Sequence, residues 1–157
     1  MFALKLFAVL GCGLIAGVFF AFSTFVMTAL ARLQPNQGIT AMQAINITVI
    51  NPLFMGVFLG TAVACIFLLI SLLSKWHQPG AVYLLVGSLL YLVGTLGVTI
   101  AFNVPMNEVL AKVEPGSTDD AIWANYLVNW TFWNHVRTIA ALAATISLAI
   151  AISRVAI

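Results

Sequence analysis

The chain has 157 residues, of which 63% are hydrophobic and only 6% charged, and its mean hydropathy is +1.13. Soluble domains carry about a quarter charged residues, so this composition excludes an ordinary water-soluble fold. Six Lys and Arg stand against four Asp and Glu, a formal net charge of +2, and no basic run exists that would neutralise a row of phosphates, which excludes nucleic acid as a partner.

The chain divides by its breakers. A helix needs about 20 residues to cross the hydrocarbon core, and Leu4 to Leu30 is a first span that ends before the turn residues Pro35 and Gly38. The run from Leu6 to Ala31 has no charge and far exceeds a signal h-region of about 7–15 residues, so it reads as a retained helix. The next run, Ile39 to Ser74, is too long for one crossing. Proline is tolerated at the first position of a helix and costly inside one, so Pro52 divides the run, with Asn51 as N-cap. Ile39 to Ile50 becomes a short interfacial helix and residues 52–74 the second span. Residues 75–80, KWHQPG, form a polar turn.

The third span runs from Ala81 to Val104, where Pro105 is expected to halt it. A polar segment follows to about Asn125, holding Glu108, Lys112, Glu114, Asp119 and Asp120. Thr138 to Ser153 alone is too short to cross, so the fourth span starts near Leu127 and runs to Ser153. The reading is an all-α integral membrane four-helix bundle, a single domain over residues 1–157, with a short interfacial helix before the second span and a polar extracytoplasmic segment between spans 3 and 4. Lys5, Lys75 and Arg154 fall on one side without acids, and Arg32 and Lys112 share the other with all four acids. The positive-inside rule therefore puts both termini in the cytoplasm.

Small residues let membrane helices approach closely. GxxxG patterns occur at Gly13/Gly17 and Gly56/Gly60, and Gly87, Gly94 and Gly97 line the third span. Packing within one subunit is the simpler use of these residues, and a homo-oligomer face is the other. Cys12 and Cys65 sit in apolar runs with no CxxC pairing and read as buried thiols.

Chemistry concentrates on the fourth span. At about 100° per residue, Trp123, Leu127, Trp130, Asn134, Arg137 and Ala141 share one stripe, which Thr131, His135 and Thr138 widen into a polar arc. Arginine costs at least ~2.5 kcal/mol at mid-helix on insertion scales, so Arg137 needs a partner or a wet cavity, and Glu108 is the acid expected to supply it. Tyr91, Thr95, Thr99 and Asn103 form a ridge on the third span, with Asn107 and Glu108 beyond it and Asn46 and Asn51 nearby. Each has a structural explanation, as helix cap, aromatic belt or core hydrogen bond. Together they describe a pocket for a small molecule, lined by aromatics and a few polar groups. Metal is poorly served, since Glu108 and His135 make an incomplete set. Haem on a single axial His is a minor alternative to having no cofactor.

Five segments, GVFFAFSTFVMTAL (Gly17 to Leu30), AMQAIN (Ala41 to Asn46), NPLF (Asn51 to Phe54), NVPMN (Asn103 to Asn107) and WTFWNHVRT (Trp130 to Thr138), carry a resemblance to the anthrone oxygenase-like family of small four-span membrane proteins. The chain departs from that pattern at Thr28, where proline is common. The resemblance implies a cofactor-independent oxygenase that converts an anthrone, or a similar lipophilic polycyclic phenol or quinone-like molecule. Such a substrate forms a delocalised anion that reacts with oxygen directly, so the protein need supply only a base, an oxyanion donor and a flat apolar slot. On that reading His135 is the base, and Arg137 with Asn134 or Asn103 the donor. Trp130 and Trp133 are the walls, and Asn107, Glu108, Trp123 and Tyr91 complete the substrate contacts. A non-enzymatic binder or small transporter of a lipophilic ligand, or a structural membrane subunit, would use the same cluster.

Overall fold

The computed structural model describes residues 1–114 and 119–154. It is all-helical, and four of its helices are long and apolar enough to cross a membrane: α1 (Phe2–Leu30), α3 (Pro52–Lys75), α4 (Ala81–Ala111) and α5 (Asp120–Ser153). The fifth, α2 (Pro35–Thr48), is the short helix before the second span. α1 packs against α5 and α3, and α4 closes the square by packing against the same two helices. Outward faces carry Leu10, Leu14, Leu73, Val93, Val128 and Ile146, all exposed, as lipid contact requires.

Asn51 behaves as its position predicts. Its Oδ1 accepts the Phe54 N–H at 3.0 Å, while its Nδ2 donates to the Thr48 carbonyl at 3.0 Å. One side chain thus ends α2 and starts α3, and Pro52 occupies the first turn, where its missing N–H costs nothing. Asn51→Ala is expected to cost about 1 kcal/mol, the usual value of an N-cap. Reversible unfolding in detergent measures it, and an unchanged midpoint would show that the bend is held elsewhere.

Three boundaries differ from expectation. α2 begins at Pro35 rather than near Ile39, so Pro35 and Gly38 are helical and not turn residues. Pro35 again fits the first turn. Gly38 is required by packing, since a Cβ there would stand 2.5 Å from Cζ2 of the buried Trp123 indole. Gln43 then fastens α2 over the bundle, its Nε2 donating to the carbonyls of Leu110 and Val113, each at 2.9 Å.

Pro105 does not halt the third span. The helix continues to Ala111 because residues Thr99–Asn103 form a π-helical turn just before it. The wider i→i+5 bonding takes up the lost donor and relieves the clash of the proline ring with the preceding turn. The fourth span starts at Asp120, seven residues ahead of Leu127, capped by Asp119, whose Oδ1 accepts the Ile122 N–H at 3.0 Å. The polar segment expected over residues 105–125 therefore shrinks to a short link between helix ends, and its residues 115–118 lie outside the described ones.

Only one glycine of each GxxxG pattern faces another helix, Gly13 toward Thr145 and Gly60 toward Phe7, and neither is a close approach. A Cβ at Gly17 or Gly56 would touch nothing within 4 Å, whereas one at Gly94 would lie 2.6 Å from the Ala140 Cβ and one at Gly87 2.7 Å from Leu148 Cγ. Close approach occurs where α4 meets α5, with glycine facing alanine and leucine, and where α1 meets α3, since a Cβ at Gly11 would collide with Thr61 Oγ1. Cys12 and Cys65 are both free and buried.

Candidate functional site

The stripe on α5 is buried as its spacing predicts at Trp123, Trp130, Asn134, Arg137 and Ala141, with Leu127 half-buried, and Thr138 of the wider arc is also turned inward. Arg137 lies halfway along this 34-residue helix and is 6% exposed. Its Nε donates to Asn134 Oδ1 at 2.9 Å and its Nη1 to Thr99 Oγ1 at 3.3 Å. The guanidinium carbon sits 3.9 Å from the Phe19 ring centroid and 4.9 Å from that of Trp130. Two aromatic faces and two neutral acceptors replace part of its hydration, each cation–π contact contributing on the order of 0.5–2 kcal/mol.

No carboxylate of the described residues pairs with it. Glu108, expected as the partner, is exposed on α4 and forms no ion pair with Arg137. The remaining N–H groups of Arg137 have no protein acceptor among the described residues. A buried cation with free donors is costly to keep, which marks the space beside it.

Asn134 orients the arginine from behind. Its Nδ2 donates to the Phe19 carbonyl at 2.8 Å and to Ser23 Oγ at 2.7 Å, and Ser23 also meets Thr138 Oγ1 at 3.1 Å. Ser23 reaches this position from the π-helical stretch Phe22–Val26 of α1, where the extra residue per turn re-aims the side chains. Nothing in the hydropathy of the first span signals it, although Ser23 and Thr24 are its only adjacent pair of hydroxyls.

The space in front of Arg137 is a cavity of about 300 Å³, enclosed by α1, α2, α3, α4 and α5. Phe19, Phe22, Phe54, Phe58 and Trp130 give it an aromatic wall, and Asn46, Thr99, Asn107 and Arg137 are its polar groups. Asn107 Oδ1 accepts two hydrogen bonds, from Tyr126 Oη at 2.7 Å and Trp130 Nε1 at 2.8 Å. Packing of α3 against α4 is carried by residues 81–97, with little from Thr99–Asn103. There the cavity is bordered by Leu59, Ile100 and Val104, all exposed, so its side opening faces the hydrocarbon layer. Another cavity of about 300 Å³ lies at the opposite end, beside Lys5 and Gln78, and contains none of the predicted site residues.

Several assignments change. His135 is exposed on the outer side of α5, 100° around the helix from Asn134, and does not line the cavity; it cannot serve as a base there, nor present an axial nitrogen to a group inside it. Trp133 is not a wall but stacks on Phe102, centroids 3.6 Å apart. Tyr91 is fully buried in the main core, its hydroxyl donating to the Phe58 carbonyl at 2.9 Å. Trp123 stacks on Tyr126 beneath α2. Asn103 donates to the Trp130 carbonyl at 3.2 Å without reaching the cavity. Of the ten predicted residues, the cavity is lined by Trp130, Asn107 and Arg137, with Asn134 directly behind.

Fold and site together define a multi-span membrane protein with an apolar, arginine-headed cavity that opens sideways between two of its helices. The chain belongs to the anthrone oxygenase family, which matches residues 54–147, more than half its length. The matched stretch contains the NVPMN and WTFWNHVRT segments and hence Asn107, Trp130, Asn134 and Arg137. No match was found among curated proteins or among solved structures.

Proposed function

We propose that the protein is a membrane-embedded, cofactor-independent oxygenase of an anthrone-like phenol, with Arg137 as the group that holds the substrate oxygen as an anion. The observation that carries this reading is a cation in the wall of an apolar cavity with no carboxylate partner among the described residues. A neutral hydrophobic ligand would leave those donors unsatisfied, whereas an enolate oxygen would satisfy them in a medium of low dielectric, where such bonds are strong.

The chemistry then needs little from the protein. Loss of a ring-carbon proton to water gives the delocalised anion, favoured by Arg137 against its oxygen. That anion passes electrons to dioxygen and forms a carbon–oxygen bond, and the peroxide takes up a proton. Loss of the second proton from the same carbon, with cleavage of the O–O bond, releases water and leaves a carbonyl. One anthrone and one O₂ give one anthraquinone and one water. No carboxylate or imidazole is among the described residues that line the cavity, which is why the acidity is assigned to charge stabilisation and not to a side-chain base.

The same absence among the described lining residues favours a second reading, a carrier or binder of lipophilic anions. Oxygen uptake by purified protein given an anthrone separates the two. Uptake matched mole for mole by anthraquinone supports the oxygenase, and saturable binding without uptake returns the carrier.

The cavity end is proposed to face away from the cytoplasm, because Lys5, Lys75 and Arg154 gather at the other end without acids. A reporter fused at the C-terminus is expected to be active only in the cytoplasm, and periplasmic activity would reverse the orientation.

A further inference from the structure

The amide of Asn107 has only one orientation that its neighbours allow. Tyr126 Oη donates to it, and so does Trp130 Nε1, which can do nothing but donate. Both bonds end on Oδ1, which uses its two lone pairs, and turning the amide over would set N–H against N–H. The Nδ2 group is therefore held away from Tyr126 and Trp130. It has no acceptor among the described residues, while the residue itself lines the cavity.

Trp130 links this donor to the first. Its ring lies under the Arg137 guanidinium, 4.9 Å away, and its N–H ends on Asn107 at 2.8 Å. The indole thus spaces two unsatisfied donor groups, one cationic and one neutral, along a single aromatic wall. A ligand stacked on that wall with one oxygen would answer only one of them, and leaving a donor without a partner under a bound ligand is costly.

From this pairing we infer that Asn107 is a specificity-determining residue, selecting flat lipophilic anions that carry a second, neutral oxygen acceptor remote from the anionic one. The inference rests on the assignment of Arg137 as the anion-holding group. It narrows the substrate class from polycyclic phenols in general to those with a keto or hydroxyl oxygen on a further ring position. Tyr126, which stacks on Trp130 with centroids 5.9 Å apart, and Trp130 act as positioning residues that fix the amide.

Binding of two probes to the full chain in lipid nanodiscs tests this. Anthraquinone-2-carboxylate offers an anion and keto oxygens, and anthracene-2-carboxylate offers the anion alone. The protein is expected to bind the first about tenfold more tightly, the scale of one hydrogen bond otherwise left unmade. Asn107→Asp at pH 8 keeps the acceptor for Tyr126 and Trp130 but removes the Nδ2 donor, and Asn107→Leu removes both functions. Each should bring the two affinities within twofold of each other while anthracene-2-carboxylate still binds. Equal affinities in the unmodified protein, or a tenfold preference that survives in either folded variant, would overturn the role of Asn107. Failure of the underlying site looks different, because Arg137→Met would then bind both carboxylates as well as the unmodified protein does.

Discussion

Replacing Arg137 by methionine is expected to lower anthrone-dependent oxygen uptake on the order of a hundredfold, the scale on which single oxyanion donors act. Methionine fills a similar volume between Phe19 and Trp130, so the cavity wall survives while the charge does not. Arg137→Lys keeps the charge but loses the planar fork that bonds Asn134 and Thr99 at once, and should fall between the two. His135→Ala is expected to leave uptake within about twofold, since its side chain faces outward and exposed positions distant from a site have small effects. Initial rates in detergent or nanodiscs, with folding checked by unfolding midpoint, decide it. Full activity in a folded Arg137→Met protein would reduce the arginine to a structural role, and loss of activity in His135→Ala would restore the histidine.

Asn134→Leu is expected to destabilise the bundle by about 2–4 kcal/mol, more than any cap or surface change. The side chain makes three hydrogen bonds, to Phe19, Ser23 and Arg137, and its loss leaves a buried guanidinium N–H without an acceptor. Orphaned buried polar groups cost about 1–3 kcal/mol each, and more when charged. The lower end of the range allows for the modest worth of interhelical bonds in membranes, about 0.6 kcal/mol on average. In an Arg137→Met background the same substitution should cost about 1–2 kcal/mol less, because the two residues share one bond. Denaturation in mixed micelles reads all three variants. Independent, additive losses would mean that Asn134 supports the α1–α5 contact without holding the arginine.

Which end of the bundle carries the buried polar groups was legible from the order of residues on α5. A stripe at 100° per residue selects Trp130, Asn134 and Arg137 as inward, and these are buried. Asn51 and Pro52 announced the bend between α2 and α3 because capping chemistry is local: the partner is three residues away. Four spans followed from apolar length alone, since a bilayer imposes its thickness on any chain that crosses it.

Where the periodicity is borderline, or the partner comes from another helix, the sequence was silent. His135 stands at the rim of the polar arc, and a rotation of a few tens of degrees decides whether it faces the cavity or the bilayer; packing of α1 against α5 sets that rotation. Glu108 lies near Arg137 in neither register nor burial, because the π-helical turn before Pro105 lets α4 run on and turns the glutamate outward. The glycines that matter, Gly38 under Trp123 and Gly94 against Ala140, cannot be told from Gly17 or Gly56 by spacing, since a close approach depends on the element opposite. Composition and period therefore determine the spans, their caps and the inward face of α5, all of which are set within about one helical turn. Only the tertiary structure decides that Phe19 and Thr99 from other helices meet Arg137, that Ser23 holds Asn134 behind it, and that Asn107 lines the same cavity. Those partners are brought together by the packing of helices across the bundle, which no local pattern encodes.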